Sequence, residues 1–313
     1  MLKKSAKIYI TGGSGLVGRN IMENPDILNC CILAPKHSEL DLMDYNSVLS
    51  FLKAEKPDII IHTAGHVGGI KANMEDPYGF FTDNAVMGIN VVRASKEAGV
   101  KNLLNLSSSC SYPCNISTPL KEDMIFTGKF EPTNEGYAVA KTAVLKMCEY
   151  ITNQFPSFHY KTLIPCNLYG RYDKFSPQKS HLLPAIIRKL HEAKLKGLDN
   201  VEIWGDGLAR REFMYAGDFA CIVSEILKNF DKIPAVLNIG LGYDYTINEY
   251  YETTAKVLGF DCKFTHDLTK PSGMKQKLLD ISMQKKLGFE SRFSLEEGIR
   301  ETYNYFLNEY KGE

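Results

Sequence analysis

The sequence carries a single tryptophan, no CxxC pair, no excess of either charge and no long apolar run. Each shortage removes a class of function. Lysine plus arginine and aspartate plus glutamate both number 37, so no global basic field exists to hold nucleic acid or an anionic membrane surface. An anionic ligand needs a local site. No apolar stretch approaches the roughly 18 residues of a bilayer crossing, which excludes a membrane-spanning reading. Met1 to Lys7 is short and basic with no apolar segment behind it, so no signal peptide is expected. The cysteines at 30, 31, 110, 114, 148, 166, 221 and 262 lack zinc-ligand spacing; they read as reduced thiols of a cytoplasmic protein, and no metal site is expected. What is left is ordinary globular composition, 44% hydrophobic and 24% charged, over 313 residues. That length suits one large α/β domain, or a large and a small one.

Lys7-Ile8-Tyr9-Ile10 is a short apolar strand pattern running into Thr11-Gly12-Gly13-Ser14-Gly15-Leu16-Val17-Gly18 and then a helical pattern. Gly12, Gly15 and Gly18 allow a tight turn and close approach of backbone to a pyrophosphate, with the N–H groups of a helix start facing it. About 20 residues on, where a carboxylate would hold the ribose hydroxyl of NAD, stand Lys36 and His37. A cation there suits the 2′-phosphate of NADP, so NADP(H) is the expected cofactor. Asp41-Leu42 follows, with Asp41 either accepting from the adenine amino group or capping the helix that starts near Asp44. Pro57 to His62 is an unbroken apolar run, as in a parallel strand buried on both faces, and ends in the small residues Thr63-Ala64-Gly65.

Asn102 to Leu106 reads as a fourth strand delivering Ser107-Ser108-Ser109-Cys110 to the same crevice. Tyr137 and Lys141 are four apart, hence on one face of a helix and about 5–6 Å apart at Cβ. An ammonium there is expected to lower the phenol pKa and make Tyr137 an acid or base, while a serine hydroxyl holds a carbonyl oxygen beside it. This is ketone-reduction chemistry. Tyr160 to Pro165 is a fifth strand, ending in Cys166-Asn167-Leu168-Tyr169. Five strand–helix alternations define a Rossmann-type doubly wound parallel sheet with right-handed crossovers. From Arg171 the rhythm changes. Residues 1–170 and 216–245 are expected to form the NADP-binding domain, and 171–215 with 246–313 a smaller substrate-binding lobe.

The glycine series, the serine segment and the YxxxK pair together resemble the extended short-chain dehydrogenases/reductases. Further stretches resemble the GDP-L-fucose synthase family within them: Val67-Gly68-Gly69-Ile70, Ser108 to Pro113, Glu131 to Glu135, Asn167 to Gly170, Ser180 to Ala185, Trp204-Gly205, Arg211-Glu212-Phe213 and Lys277 to Asp280. The resemblance implies NADPH-dependent reduction at C4 of a GDP-bound 4-keto-6-deoxy sugar, with epimerisation at C3, C5 or both. It assigns Ser108, Tyr137 and Lys141 to reduction, Cys110 as a base and His181 as an acid. Cofactor contacts are implied along Gly12 to Gly18, at Lys36, Asp41 and Leu42, and at Ala64 and Gly65. Leu106, Ser107, Lys141, Pro165, Asn167, Leu168 and His181 complete that set. Substrate contacts are implied at Ser108, Cys110, Asn167, Lys189, Trp204, Arg211 and Lys277, and a homodimer built from helices near 78–98 and 137–155.

Singly, Cys110 also suits a small buried site, His181 a helix cap and Trp204 core packing. The chain departs from the family at Ser14, His66, Gly136, Lys189 and Ser272. Two alternatives stay open: a C4 reductase without epimerisation acting on a related hexose or heptose, and a non-catalytic NADP-sensing protein on the same fold.

Overall fold

The computed structural model describes residues 6–176, 180–270 and 274–309. Six parallel strands form the main sheet, in the order Val236–Ile239, His159–Pro165, Asn102–Leu106, Ile59–His62, Lys7–Thr11, Cys31–Leu33. The order reverses at Lys7–Thr11, whose two neighbours both follow it in the chain. Ligands of open α/β sheets bind at such a reversal, outside the carboxyl ends of the strands. All four residues of Ile59–His62 are buried, which is why that segment is apolar without alternation.

Helices cover both faces. On one, Ile21, Ile27, Phe219 and Ile226 bring the helices Leu16–Met22, Pro25–Leu28 and Ala216–Lys228 onto the sheet. On the other, Val48, Leu52, Val91, Val144 and Cys148 do the same for Tyr45–Glu55, Pro77–Glu97 and Glu135–Gln154. The last two helices touch closely. A Cβ on Gly88 would sit 2.4 Å from Val144 Cγ2, and one on Gly136 would sit 2.6 Å from the Pro77 carbonyl oxygen. Gly136, one of the departures from the resembled family, is therefore a point of helix contact.

The second core gathers Phe175, Leu183, Ile187, Tyr250, Ile299 and Phe306 from the later part of the chain. It carries the helix Leu182–Leu195 and three small sheets: Asn167–Tyr169 with Phe213–Tyr215, Asn200–Trp204 with Lys263–Asp267, and Arg210–Arg211 between Tyr245–Thr246 and Gln276–Lys277. Thr246 caps the helix Ile247–Leu258 reciprocally with Glu249, and Gly259 ends it at φ 59. Beyond Lys277 the chain turns back to the main sheet. Leu279, Ile281 and Phe289 join its core, and Leu279 bridges to Leu120. Pro177 and the Ser272 departure lie outside the described residues.

Candidate active site

The glycine turn is pressed against the neighbouring strand exit. Gly12 has φ +68, and a Cβ on it would lie 2.7 Å from Ala64 Cα; at Gly18 a Cβ would lie 2.4 Å from the Gly12 carbonyl oxygen. Only glycine fits these two positions. Gly13 is buried against Ala34, while Ser14 and Gly15 are exposed and Leu16 and Val17 half-buried behind them. Gly15 is the N-cap of Leu16–Met22. Thr11 Oγ1 bonds His62 Nδ1 at 2.8 Å and accepts from Ala64 N at 3.1 Å, fixing the two strand ends together. Burial pulls the His62 imidazole down to about 3, so it stays neutral.

Past the second strand, Lys36 is exposed, its N–H bonded to Glu39. Asp41 closes a turn onto Met43 N at 2.9 Å, and Asp44 caps the helix Tyr45–Glu55. The capping alternative for Asp41 is thereby taken by its neighbour. Leu42 is buried in the core below.

Asn84 holds the Ala64-Gly65-His66 turn: its amide accepts from His66 N at 3.1 Å and donates to His66 O at 2.9 Å. The His66 ring stacks on Phe80 at 4.1 Å and its Nδ1 lies 2.9 Å from Asp83. The histidine at this departure thus has an acceptor of its own.

Tyr137 and Lys141 lie on one helix as the spacing requires, but their electrostatics differ from the expectation. Burial, then charge on Cys110, pushes the Tyr137 phenol above its ordinary value, with the Ser108 hydrogen bond acting the other way. Lys141 does not reverse this. Its Nζ is turned to Gly65, 3.8 Å from where a Cβ there would stand. Lys141 is buried, and burial pulls it down to about 8. Desolvation dominates at both groups. Tyr137 is left as a protonated phenol, an acid poised to donate. Among the described residues the Lys141 ammonium has no carboxylate beside it, so the donor set fits a ligand that brings hydroxyl groups into this crevice.

Leu106 and Ser107 continue the sheet: Ser107 N donates to Leu163 O at 2.9 Å, and its hydroxyl pairs with Ser111. Ser108 Oγ accepts from Cys110 N at 3.2 Å, shaping the turn that presents the thiol. Cys110 Sγ lies 3.2 Å from Asn134 Nδ2 and 3.7 Å from Lys277 Nζ. Neighbouring Pro165 ends a buried strand beside Ile239, Asn167 donates to the Glu212 carbonyl, and Leu168 pairs with Met214.

Glu212, quoted in the sequence only as part of the Arg211-Glu212-Phe213 stretch, was given no role there. Its buried carboxylate accepts from Leu241 N at 2.6 Å, Gly242 N at 2.9 Å and Leu279 N at 3.0 Å. Burial nonetheless pushes it up to about 7. Ser109, Cys166, Asn167, Glu212, Lys277 and Leu279 line one small void. Asn134 was also passed over, lying in a turn 24 residues from its sulfur partner.

His181 is the N-cap residue of Leu182–Leu195 and makes no side-chain capping bond. Burial, reinforced by Lys174, lowers its pKa. Lys277 pairs in register with Arg211, placing two cations on adjacent strands. Arg211 donates to Met274 O at 2.7 Å. Trp204 is 63% exposed, which rejects core packing, and Lys270 Nζ stands 5.6 Å from its ring centre. Lys189 donates to Glu202 O at 2.5 Å, a backbone tether on the same strand as Trp204.

A sequence model described as the NAD dependent epimerase/dehydratase family matches residues 8–240. The chain belongs to that family. Relatives within it that are similar to this chain carry the names of GDP-sugar synthases. A GDP-L-fucose synthase of Azorhizobium caulinodans is 50% identical, over 97% of both chains. A GDP-L-colitose synthase of Yersinia pseudotuberculosis is 48% identical over 97% of this chain and 98% of that protein. Among solved structures, a GDP-mannoheptose C4 reductase from Campylobacter jejuni with NADP bound has a TM-score of 0.87 at 30% identity, covering 98% of this chain and 100% of that one.

Replacing Glu212 by leucine leaves three buried N–H groups without an acceptor, at about 1–3 kcal/mol each. Glu212→Leu is expected to lose at least about 3 kcal/mol of stability in urea titration, and Glu212→Gln, which keeps one acceptor oxygen, clearly less.

Proposed function

We propose that this protein reduces C4 of a GDP-bound 4-keto-6-deoxy sugar with NADPH and inverts C3, C5 or both in the same site. The observation that carries this is the convergence of two chemistries on one turn: Ser108 joins the Tyr137 phenol while Cys110, two residues on, presents a thiol between Asn134 and Lys277. Bound in the crevice, NADPH supplies the hydride. Gly12, Gly15 and the Ala64-Gly65 turn would lie along it, Lys36 near its 2′-phosphate and Lys141 at its nicotinamide ribose. Ser108 holds the ketone oxygen, and the protonated Tyr137 gives it the proton that completes reduction. Before that step the same carbonyl acidifies the neighbouring C–H bonds. Cys110 takes such a proton, the electron pair moves to the ketone oxygen held by Ser108 and Tyr137, and His181 returns a proton from the opposite face. Lys189, Arg211 and the exposed face of Trp204 are assigned to the nucleotide and its diphosphate, where two cations and an aromatic surface suit the chemistry.

A C4 reductase without epimerisation is the second reading, favoured by the named activity of the C. jejuni neighbour and by Lys189 in place of arginine. Incubation with NADPH and GDP-4-keto-6-deoxymannose in deuterated water, followed by NMR, separates the two. Deuterium at C3 or C5 of a reduced product is the expected result; reduction without deuterium establishes the second reading, and no reduction of any GDP-4-keto sugar refutes both. Tyr137→Phe should lower turnover by roughly 10²–10⁴-fold with NADPH binding retained in a fluorescence titration.

Burial sets a pH limit as well. The free-protein Lys141 ammonium titrates at about 8, so NADPH affinity is expected to be full below that value and to fall as pH rises through it. In Lys141→Met the affinity should be weaker and flat with pH.

The reading includes a homodimer. Tyr78, Phe81 and Ile89 are exposed on one stripe of Pro77–Glu97, and Tyr150 is exposed on Glu135–Gln154. Two such faces would bury each other's apolar surface. The wild type should elute as a dimer and Phe81→Glu/Ile89→Glu as a monomer; a monomeric wild type would remove this element. A cytoplasmic location accords with the free cysteines.

A further inference from the structure

The last helix, Leu295–Glu309, has two faces of different character. Ile299 and Phe306 are buried in the lobe core. Glu301, Asn304, Tyr305 and Asn308 recur at i, i+3, i+4 and i+7, so they form one polar stripe. Such a stripe is ordinarily a solvated helix face. Here it walls a cavity of about 370 Å³ that Arg19, Arg171 and Tyr172 complete. Arg19 comes from Leu16–Met22, the helix that follows the glycine turn, and the other two from the loop after Asn167–Tyr169. Asn20 Nδ2 donates to the Arg171 carbonyl oxygen at 3.1 Å and ties that loop to the helix. Tyr172 takes a left-handed backbone, φ 71, which an aromatic residue adopts only at a cost in energy. The result is a platform. Its hydroxyl donates to Glu23, the Arg19 guanidinium lies 3.7 Å above its ring, and the Tyr305 ring stands 5.0 Å from it, centre to centre.

The donors around this cavity lack partners. Glu23 takes Arg171 Nη2 at 2.9 Å, but Arg171 Nε is buried without an acceptor. Among the described residues the Arg19 guanidinium has the Tyr172 ring and no oxygen acceptor, Glu301 pairs with no cation, and the Asn304 and Asn308 side chains make no hydrogen bond. A buried N–H left unpaired is unfavourable, and a guanidinium held flat on an aromatic ring is prepared for an oxyanion. The 370 Å³ lie at the small end of ligand sites, with room for one sugar or nucleoside but not for a dinucleotide. We propose that this cavity binds a small phosphomonoester that carries hydroxyl groups. Its phosphate lies between Arg19 and Arg171 Nε, where a tetrahedral oxyanion accepts from both guanidinium groups. Its hydroxyls donate to Glu301 and bond the two asparagine amides, and the Glu301 charge keeps the phosphate at the arginine end. None of these residues is assigned above to cofactor, sugar or reaction, and the inference stands apart from the proposed activity. An occupant would tie the helix behind the glycine turn to the last helix of the chain.

The test is calorimetric titration of the full-length protein held in excess NADP and GDP, which occupy the cofactor and sugar-nucleotide sites. Ribose 5-phosphate, glucose 6-phosphate and adenosine 5′-monophosphate are the probes; ribose, glucose and adenosine are the controls. At least one phosphorylated probe should bind while its unphosphorylated counterpart does not, and whether that probe is a sugar phosphate or the nucleotide identifies the class of source. Arg19→Met should weaken its binding by at least about tenfold, the strength of one charge-assisted hydrogen bond. Arg19→Lys, which keeps the charge and loses the fork, should fall between, and Asn304→Ala/Asn308→Ala should weaken binding less than Arg19→Met. Each variant should bind NADPH as the wild type does in a fluorescence titration, which shows that the glycine turn and the fold are intact. Should Arg19→Met bind NADPH poorly, the double asparagine variant carries the same test from the other wall. Three results overturn the proposal: no phosphorylated probe binds, a control binds as tightly as its phosphorylated form, or a folded Arg19→Met binds the probe like the wild type.

Discussion

A buried carboxylate that must accept three backbone N–H bonds sets the geometry of the whole site. Glu212 stands at the start of the short strand that leaves the lobe, and its oxygens gather the turn after the last sheet strand and the segment that carries Leu279. Ionic and polar groups this deep hold position because any departure leaves an unpaired donor or charge. Lys277, two residues before Leu279, is thereby brought to the thiol, and Arg211 beside it to the same edge. The lobe and the sheet are two cores, and this carboxylate ties their polar faces together where Lys277 and Arg211 meet the site.

The opposite wall depends on the absence of side chains. Gly12, Gly18 and Gly65 each lie where a Cβ would collide with backbone or with Asn84. Strand ends therefore approach one another closely enough that Thr11, His62 and Ala64 form one hydrogen-bonded unit. Against this rigid backbone wall the helix Glu135–Gln154 presents Tyr137 and Lys141, whose protonation is governed by dehydration more than by each other.

Much of this was legible in the sequence, and the failures have physical causes. Apolar runs marked Lys7–Thr11, Ile59–His62, Asn102–Leu106 and His159–Pro165, with ends displaced by a residue or so, because burial on both faces writes itself into consecutive residues. The i, i+4 pair was legible because helical geometry is local. Its pKa was not, because desolvation depends on what packs over the helix. The helix Pro25–Leu28 carried a readable signal, Asn24 capping a first-turn proline, whereas Ile70–Glu75 is too short to show a period. Asn134 and Glu212 escaped because their partners are distant in the chain, and an asparagine or glutamate in isolation is no different from a solvated one. Asp41 and Asp44 were interchangeable as caps until the turn at Met43 separated them.

The contact of Gly88 with Val144 and of Gly136 with the Pro77 carbonyl has a mechanical meaning. Two helices that meet without a compressible layer move as a single lever. Tyr137 lies on the inner side of that lever, and the stripe of Tyr78, Phe81 and Ile89 on its outer side. In the proposed homodimer, a subunit seated on the outer side would press on the same pair of helices that carries the phenol on its inner side.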